Sequence, residues 1–451
     1  MKVLSIFVSK ILSFVGKLLG KGSSLPGAIA LKLCPNILSR LTLPESVIAV
    51  TGSNGKTSTV EMIANVLIAS GKKVVWNKEG SNQIEGVTTL LLNNATLGGK
   101  VKGDVILLES DERYARHTMK FIKPTDFVIT NLYRDQLTRN AHPFHIYGII
   151  KEAVDLIPNA RLLLNADDPI VRMFGQGRDN VVYFGMDKNA YSQENTDGVY
   201  NDCFYCPVCK KPLSYEFFHY AHLGQYACPS CGYSRPETAY AVTEMDLQNN
   251  TICVNGDEIR LAFSSRYNVY NLCAAYATAA LVGVDGKCVT EVLSDFVMKN
   301  GRNVRFRAGQ NEGMLITSKH ENSTSYNQSL EYVTRQEIPS TLVIIVDAIS
   351  RKYYTAETSW LWDISFEMLK NSKVKQVILS GKYAYDLALR FEYAPIGDIP
   401  VITESDLDKM AAILSEENAG PVFAVTCFSD KEKLLSRVKV LKAVTSKISV
   451  S

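Results

Sequence analysis

Short apolar runs alternate with longer amphipathic stretches in the part of the chain that follows Pro44. The predicted strands are Val47–Val50, Lys73–Trp76, Val105–Glu109, Phe127–Thr130, Arg161–Asn165 and Val181–Gly185. Apolar positions recur with helical spacing in Lys56–Ser70, directly after the first strand and a glycine-containing loop. Short β-rich runs separated by helix-length stretches are typical of a parallel sheet with helices on both faces. The pattern therefore predicts an α/β domain.

A polar, aromatic and cysteine-rich stretch interrupts this alternation between residues 186 and 240. We interpret it as an insert that occupies about residues 199–236. Regular patterning returns at Ala241–Phe263, and helices are predicted for Asn268–Val282 and Val289–Met298.

A second α/β unit begins near Gly313. Its predicted strands are Met314–Thr317, Thr341–Val346, Gln376–Ser380 and Val422–Thr426. Its predicted helices are Ser329–Arg335, Phe366–Leu369, Ala384–Phe391 and Ser405–Glu416. The sequence therefore predicts an N-terminal helical segment (1–44), a central parallel-sheet domain (45–312) and a C-terminal Rossmann-like α/β domain (313–451).

The first 20 residues are apolar but contain Lys2, Lys10 and Lys17. A membrane-spanning helix requires about 20 predominantly apolar residues with few charges, and no small-residue cleavage site of a secretory signal follows. The segment is therefore predicted to form an amphipathic helix. Two interpretations stay open: the helix packs on the first domain, or it rests on the inner surface of the membrane.

Length and composition narrow the class of protein. A chain of 451 residues is too long for one ordinary domain. Apolar residues make up 46% and charged residues 21%, as in an ordinary globular enzyme. The net charge of +3 is too small to indicate a nucleic-acid-binding protein. We expect a cytoplasmic location, where paired cysteines bind metals more often than they form disulfides.

A phosphate-binding loop is predicted between the first strand and the helix that follows it. Residues 47–58 read VIAVTGSNGKTS, and the predicted nucleotide-binding residues are Thr51, Gly52, Ser53, Asn54, Gly55, Lys56, Thr57 and Ser58. The two glycines allow a tight turn whose N–H groups face phosphate oxygens, next to the positive end of a helix. Lys56 is expected to reach the β- and γ-phosphates of ATP as a catalytic residue, and Thr57 to offer its hydroxyl to Mg²⁺.

An acidic residue ends the strand Val105–Glu109. A carboxylate at the carboxyl end of a parallel strand faces the ligand crevice. Glu109 is therefore expected to complete the Mg²⁺ shell together with Thr57 and water, and to serve catalysis in that way. The alternative is a solvated loop of acids that includes Asp111 and Glu112.

Four cysteines of the insert form two Cys-x-x-Cys pairs. Cys206 and Cys209 make the first pair, Cys228 and Cys231 make the second, and 18 residues separate the pairs. This spacing is typical of a zinc ribbon, in which four thiolates surround Zn²⁺ and leave no position for water. A structural zinc site is predicted; the alternatives are another metal, a redox pair or no metal. Cys203 is interpreted as a bystander.

These motifs together resemble the Mur ligase superfamily, which includes the UDP-MurNAc-peptide ligases and folylpolyglutamate synthase. Residues 51–57 are similar to its TGTNGKT loop. Residues 131–137, NLYRDQL, resemble its N-x-x-x-D-H-L motif, with Gln136 in place of histidine, and residues 165–168 resemble its N-A-D-D stretch. The resemblance implies nucleotide-site roles for Asn131, Asp135, Asn165, Asp167 and Asp168.

Within the superfamily, the chain is similar over nearly its full length to the MurT family, the ligase subunits of MurT–GatD lipid II isoglutaminyl synthases. The similar segments are LPGAIAL at 25–31, NKEGSN at 77–82, CGYSRP at 231–236, YNVYN at 267–271 and SWLWD at 359–363. The four-cysteine insert is the most specific feature, because ordinary Mur ligases lack it.

The resemblance implies ATP-dependent amidation of the D-glutamate α-carboxyl in the lipid II stem peptide through an acyl phosphate. The ammonia would come from a GatD-type glutaminase partner. ATP, Mg²⁺ and Zn²⁺ are the implied cofactors. We expect no glutaminase in this chain and interpret Cys427 as a core residue. Candidates to stabilise the oxyanion formed by ammonia attack are Arg302, Lys319 and His320. Arg302 is also a candidate cofactor-binding residue, and the alternative for His320 is an ordinary surface histidine.

Departures from the family concentrate in the C-terminal domain. Residues 301–304 read GRNV where the family reads GRME, and residues 322–325 read NSTS where it reads close to NPAG. The family places an aspartate before the Ser-Trp motif that orients the glutaminase histidine across the subunit interface. Glu357 is the nearest acid here and is one methylene longer. Because Glu357 stands nearest to the place of the family's aspartate, we predict that it orients the histidine of the glutaminase partner.

Two other functions stay open. One is a self-sufficient amino-acid ligase of the Mur or folylpolyglutamate type, against which the insert and Gln136 argue. The other is a non-catalytic ATP-binding scaffold, which the altered C-terminal domain favours and the intact phosphate loop opposes.

Overall fold

A computed structural model describes residues 1–18, 24–77, 81–196, 201–261, 266–296, 303–349, 357–416 and 420–441. The chain divides into two compact units. The first includes Met1–Tyr133, His142–Asp197 and Asn201–Val297, and the second includes Arg134–Ala141 and Met298–Ser451.

The first unit is built on a mixed sheet. Its strands are β1 (Ser46–Thr51), β2 (Val74–Trp76), β3 (Val105–Glu109), β4 (Asp126–Ile129), β5 (Arg161–Asn165), β6 (Val181–Met186), β7 (Ser214–Tyr220), β8 (Leu223–Ala227), β9 (Tyr240–Asp246), β10 (Thr251–Val254) and β11 (Asp257–Arg260). Among the described residues, nine of these form one sheet of order β11-β10-β9-β6-β5-β4-β1-β3-β2. The strands from β9 to β2 in this order run parallel, and β10 pairs antiparallel with both β9 and β11. The six predicted strands are confirmed.

Helices cover both faces of this sheet. They are α1 (Lys2–Leu18), α2 (Leu25–Leu33), α3 (Lys56–Ala69), α4 (Ile84–Asn94), α5 (Ala115–Met119), α7 (Pro143–Asp155), α8 (Pro169–Arg172), α9 (Arg266–Leu281) and α10 (Gly286–Ser294), while α6 (Leu137–Asn140) belongs to the second unit. Alternate residues of β1 point to opposite faces. Val47 and Ala49 pack with α2, α4 and α7, whereas Ile48 and Val50 pack with α3 and α9. The central strands are therefore buried on both sides.

The N-terminal helix packs on the first unit. It contacts α2 and α4, and it buries Ser5, Ile6 and Ser9. Lys10 Nζ donates to the Asn93 carbonyl oxygen at 2.9 Å. The predicted amphipathic helix is confirmed, and one of its faces packs as the first interpretation proposed. Among the described helices, none is long and apolar enough to cross a membrane.

The second unit has its own sheet. Its strands are β12 (Asn303–Ala308), β13 (Asn311–Ser318), β14 (Ser340–Ile345), β15 (Val374–Ser380), β16 (Val401–Glu404), β17 (Val422–Cys427) and β18 (Lys439–Val440), in the order β16-β15-β14-β17-β13-β12-β18. The strands from β16 to β13 are parallel, and β12 pairs antiparallel with β13 and β18. The four predicted strands are confirmed, and β12 precedes the predicted domain boundary at Gly313.

Helices α11 (Ser323–Thr334), α12 (Ala384–Glu392), α13 (Leu407–Ser415) and α14 (Lys431–Leu435) join α6 in the second unit, with 3-10 helices at Ser359–Asp363 and Phe366–Asn371. Helix α11 begins at Ser323 rather than at the predicted Ser329. The reason is a cap, because Asn322 Oδ1 accepts the backbone N–H of Ser325 at 2.6 Å. The predicted helix Phe366–Leu369 is part of a 3-10 turn.

Candidate active site

The loop between β1 and α3 is shaped around its two glycines. Gly52 and Gly55 have φ angles of 139° and 82°, which favour glycine. A Cβ on Gly52 would lie 2.2 Å from Thr130 Oγ1, and one on Gly55 would lie 1.9 Å from Asn271 Oδ1. Both the backbone conformation and the available space therefore require glycine at these two predicted phosphate-binding positions.

Residues that follow β4 hold this loop in place. The backbone N–H of Ser53 donates to the Asn131 carbonyl oxygen at 2.9 Å, and that of Asn54 donates to Asn131 Oδ1 at 2.9 Å. Thr130 Oγ1 donates to the Asn54 carbonyl oxygen at 3.0 Å, and the backbone N–H of Tyr133 donates to Ser53 Oγ at 3.0 Å. Asn131 thus lies beside the loop and fixes its backbone.

Lys56 opens α3 and folds back over the loop. Its Nζ donates to Glu112 Oε2 at 2.9 Å and to the carbonyl oxygens of Gly52 and, at 3.4 Å, Ser53. Glu112 is nearly inaccessible, with 3% of its side chain exposed. The sequence placed Glu112 only in a loop of acids, although its position shortly after β3 was a signal for a partner to Lys56.

Glu109 lies at the carboxyl end of β3 and is buried. Asn77 Oδ1 accepts the backbone N–H of Glu109 at 2.9 Å, and Asn82 Nδ2 lies 3.4 Å from Glu109 Oε1. Thr57 is exposed at the second position of α3, while Thr51 and Ser58 are buried. The two asparagines come from the family-like segment 77–82 and had not been predicted as site residues.

The N-A-D-D stretch is buried and bonded to protein groups. Asn165 Nδ2 donates to a carbonyl oxygen at the end of β4 at 3.0 Å. Asp167 accepts from Arg235 Nε at 2.6 Å and from the Tyr270 hydroxyl at 2.7 Å. Asp168 caps α8 by accepting two backbone N–H groups. Asn165 and Asp168 therefore contact the segment after β4 that holds the phosphate loop, whereas Asp167 ties the insert to α9.

Asp135 belongs to the second unit. Its carboxylate accepts from Asn322 Nδ2 at 2.8 Å and forms an ion pair with Lys319. Ser325 stands where the family reads glycine, and its Oγ accepts the backbone N–H of Lys319 at 3.0 Å. Asp135 and the candidate Lys319 are therefore brought together, whereas Arg302 lies outside the described residues.

Glu357 is an exposed carboxylate before the 3-10 helix Ser359–Asp363. The backbone N–H of Ser359 donates to Glu357 Oε1 at 2.7 Å, and this hydrogen bond lowers the pKa of the Glu357 carboxyl. The neighbouring Thr358 Oγ1 donates to Asp386 Oδ1 on α12 at 3.0 Å. The carboxylate is therefore ionised at neutral pH and accessible.

The four predicted zinc ligands form a cluster. Sγ of Cys206 lies 3.7 Å from Sγ of Cys231, Sγ of Cys209 lies 3.4 Å from Sγ of Cys228, and all four sulfurs lie within 4.8 Å of one another. A regular tetrahedron with Zn–S bonds of about 2.3 Å separates its sulfurs by about 3.8 Å. The donor set therefore fits a tetrahedral, thiolate-binding metal ion.

The two cysteine pairs have the same backbone geometry. In each pair the first cysteine donates its N–H to the carbonyl five residues later at 2.7 Å and accepts the N–H of the residue four positions later at 3.0 Å. That fourth residue is left-handed in both, Lys210 with φ of 63° and Gly232 with φ of 74°. Burial opposes ionisation of Cys228, but hydrogen bonds from the Ser230 backbone, the Cys209 side chain and Cys231 lower its pKa to about 7. The thiolate of Cys228, which is the form that binds metals, therefore forms near neutral pH.

Two other cysteines have the opposite character. Burial raises the pKa of the Cys203 thiol well above its usual value. Burial and the Asp430 carboxylate raise the pKa of Cys427 to about 12. Both thiols stay protonated at neutral pH and are poor nucleophiles. This agrees with the interpretation of Cys203 as a bystander and of Cys427 as a core residue.

Two family models match the chain, one over the part that contains the first sheet and the other over the part that contains the second. The Mur ligase middle domain matches residues 50–279, and the MurT ligase C-terminal domain matches residues 320–429.

Two relatives cover nearly the whole chain. The lipid II isoglutaminyl synthase (glutamine-hydrolyzing) subunit MurT of Streptococcus pneumoniae is 30% identical over 443 residues, which cover 95% of this chain and 96% of that one. The protein of the same name from Staphylococcus aureus strain COL is 29% identical over 413 residues, covering 90% of this chain and 91% of that one.

Solved structures share the fold. A pseudomurein peptide ligase type C from Methanothermus fervidus superposes with a TM-score of 0.67 at 22% identity, covering 88% of this chain and 79% of that one. MurF ligase from Thermotoga maritima in complex with ADP superposes with a TM-score of 0.59 at 17% identity, covering 91% of this chain and 83% of that one. The predicted fold class, a parallel-sheet ligase domain followed by a second α/β domain, is confirmed.

Proposed function

Because the chain belongs to the MurT family of Mur ligases, we propose that it is the ligase subunit of a glutamine-dependent enzyme that amidates lipid II. The acceptor is the α-carboxyl of D-glutamate in the stem peptide. The relatives named above are subunits of glutamine-hydrolyzing synthases, and their names contain lipid II. The observation that carries the proposal is the preformed loop at residues 51–58, with Lys56 at the start of α3.

ATP supplies the phosphoryl group that converts a poor carboxylate electrophile into an acyl phosphate. The N–H groups of the loop and the first turn of α3 bind the phosphates and orient them. Lys56, which donates to Glu112 at 2.9 Å, exchanges that partner for phosphate oxygens and offsets their charge during transfer. Glu112 is thus a positioning residue that holds Lys56 over the loop.

A magnesium ion would be held by Thr57 and Glu109, and it would neutralise negative charge on the phosphates. Glu109 is suited to this because Asn77 fixes its backbone and Asn82 lies at hydrogen-bonding distance from its carboxylate. Asn131, Asn165 and Asp168 act by positioning the loop and the segment after β4 beside it. Asp167 acts by holding the insert, because its carboxylate is bonded to Arg235. Asp135 and Lys319 form the corresponding ion pair of the second unit.

We infer that the four-cysteine cluster binds structural Zn²⁺. The four sulfurs lie within 4.8 Å of one another, so a tetrahedral metal would have four protein ligands and no open coordination position for a reacting water. The role of the metal is to fix the insert, which includes the hairpin of β7 and β8.

A GatD-type glutaminase is the proposed partner, docked on the second unit beside Glu357. An exposed aromatic surface lies there, formed by Trp362, Tyr385, Leu389 and Tyr393. Tyr385 and Leu389 lie one helical turn apart on α12, and Tyr393 is the residue that caps its C-terminal end. The rings of Tyr393 and Trp362 lie 5.6 Å apart. Exposed aromatic side chains are typical of protein interfaces. The hydrogen bond of Thr358 to Asp386 joins this surface to Glu357.

Reconstitution tests the function. The chain is co-purified with a glutaminase subunit and assayed for amidation of lipid II with ATP and either glutamine or ammonium. We expect amide from glutamine only with both subunits, and from ammonium with this chain alone. ATP binding without amide from either nitrogen source would contradict the proposed acceptor and favour the scaffold alternative.

A further inference from the structure

Helix α1 buries one face against the first unit and leaves an apolar face exposed on the opposite side. Ser5, Ile6 and Ser9 are buried against α2 and α4. On the other side, seven large apolar residues are exposed, namely Val3, Leu4, Phe7, Ile11, Phe14, Val15 and Leu18. At 3.6 residues per turn these seven fall within an arc of about 120°, opposite the buried face.

This stripe is unusual for an exposed helix face. Phe14 and Leu18, at its carboxyl end, are 67% and 73% exposed. Single exposed apolar residues are common, but a continuous stripe over the length of a helix marks an interaction surface.

The charge of the surrounding segment indicates what this surface contacts. Residues 1–44 contain six of the 49 lysines and arginines of the chain and none of its 46 acidic residues. The rest of the chain therefore carries a formal charge of −3. On α1 itself Lys17 is exposed, whereas Lys10 is bonded to the Asn93 carbonyl oxygen. An apolar helix face within a purely basic segment is complementary to an anionic lipid surface.

We propose that α1 docks this protein on an anionic lipid bilayer, lying in the plane of the interface with its apolar stripe among the acyl chains. The helix is not long and apolar enough to span the bilayer, and its buried face stays on α2 and α4. Docking would hold the enzyme next to a lipid-linked substrate, a consequence that rests on the proposed function. The docking itself depends only on α1 and its charge.

Vesicle flotation tests the proposal. The full chain is mixed with vesicles of phosphatidylglycerol and phosphatidylcholine, or of phosphatidylcholine alone. We expect binding to the anionic vesicles that weakens with salt. The double variant Phe7→Ser/Phe14→Ser is expected to bind at least about tenfold more weakly, because it removes two aromatic anchors. Lys17→Gln is expected to weaken binding by about fivefold and to flatten its salt dependence.

The matched control is Ile68→Ser/Ile338→Ser, which removes two apolar side chains with 48% and 47% exposure elsewhere on the molecule. We expect it to bind vesicles like the unmodified chain. Thermal unfolding of both double variants is expected to be unchanged, since the substituted side chains are exposed. A Phe14→Trp variant, which retains bulk, should shift its fluorescence to shorter wavelength with anionic vesicles.

Three results would overturn the proposal. Equal binding of the Phe7/Phe14 variant and the control variant would place the contact elsewhere. Equal binding to neutral and anionic vesicles would remove the role of charge. Absence of vesicle binding, with a dimer that the Phe7/Phe14 variant dissociates, would make the stripe an interface between copies. Amidation of a water-soluble stem-peptide substrate by the Phe7/Phe14 variant should be unchanged, so failure of docking and failure of the proposed function are separate outcomes.

Discussion

The two units hold their predicted functional residues in different ways. In the first unit, the phosphate loop is fixed by bonds from Asn131, Thr130 and Tyr133, and Lys56 already has a buried carboxylate partner. In the second unit, Glu357 is exposed and is held by the N–H of Ser359 within its own turn. A preformed site is what we expect if the first unit performs phosphoryl transfer alone. An exposed, locally held carboxylate is what we expect if the second unit acts through another protein.

The largest expected effect is on the first unit. Lys56→Ala should lower both glutamine-driven and ammonium-driven amidation by at least about 10²–10³-fold, because it removes the cation that stabilises the transferring phosphoryl group. The measurement is the rate with each nitrogen source. A variant that keeps full activity with ammonium would contradict the assignment of the phosphate loop.

This substitution also leaves Glu112 as a buried carboxylate without its lysine, which can cost about 3–5 kcal/mol of stability. The control is therefore Lys56→Ala/Glu112→Gln, in which the remaining side chain is neutral. Restored thermal stability without restored activity would separate the chemical role of Lys56 from its structural one. Recovery of both would show that Lys56 acts only through the fold.

The four-cysteine cluster should affect stability rather than chemistry. Cys206→Ser is expected to lose bound zinc and about 2–3 kcal/mol of unfolding free energy, which lowers the melting temperature by roughly 5–10 °C. Zinc content by elemental analysis and thermal unfolding measure the two effects. Cys203→Ser is the matched control, since its protonated thiol lies close by in the sequence but outside the cluster. Equal zinc in the two variants would exclude Cys206 as a ligand.

The second unit should respond selectively. Glu357→Gln is expected to slow glutamine-driven amidation by about tenfold or more while leaving ammonium-driven amidation unchanged, because an uncharged amide orients and stabilises a histidine poorly. Glu357→Asp, which introduces the residue typical of the family, should retain most of the glutamine-driven rate. Equal losses with both nitrogen sources would mean that Glu357 serves this chain's own chemistry, and the contrast between the units would disappear.

Much of the fold could be predicted from sequence, because strand and helix periodicity are local signals. The six predicted strands of the first unit and the four of the second are confirmed. Helix starts were less accurate. Asp285 caps α10, so that helix begins at Gly286 rather than at the predicted Val289, and Asn322 moves the start of α11 in the same way. A single side-chain hydrogen bond decides such boundaries, and periodicity does not report it.

The part of the candidate site that is formed by a continuous backbone segment could be predicted from the sequence. The contacts between side chains distant in the sequence were harder to predict. Gly52, Gly55 and Lys56 follow from a local pattern. The pairing of Lys56 with Glu112 joins residues 56 positions apart, and the bond of Asp167 to Arg235 joins residues 68 positions apart. Tertiary packing creates these contacts, so the sequence assigned Asp167 to the nucleotide without indicating that its carboxylate is bonded to an arginine of the insert.

The smallest expected effect compares the two halves of the cysteine cluster. Lys210 and Gly232 occupy equivalent left-handed positions after each pair, and a Cβ at Gly232 would meet no atom within 4 Å. Gly232→Lys should therefore cost only backbone strain, about 1 kcal/mol of unfolding free energy. Zinc content should stay the same, since Lys210 shows that a lysine is compatible with this turn. Chemical denaturation together with elemental analysis checks both expectations. Loss of zinc from Gly232→Lys would show that the two turns are not equivalent, and that the metal depends on the glycine of the second turn as well as on the four thiolates.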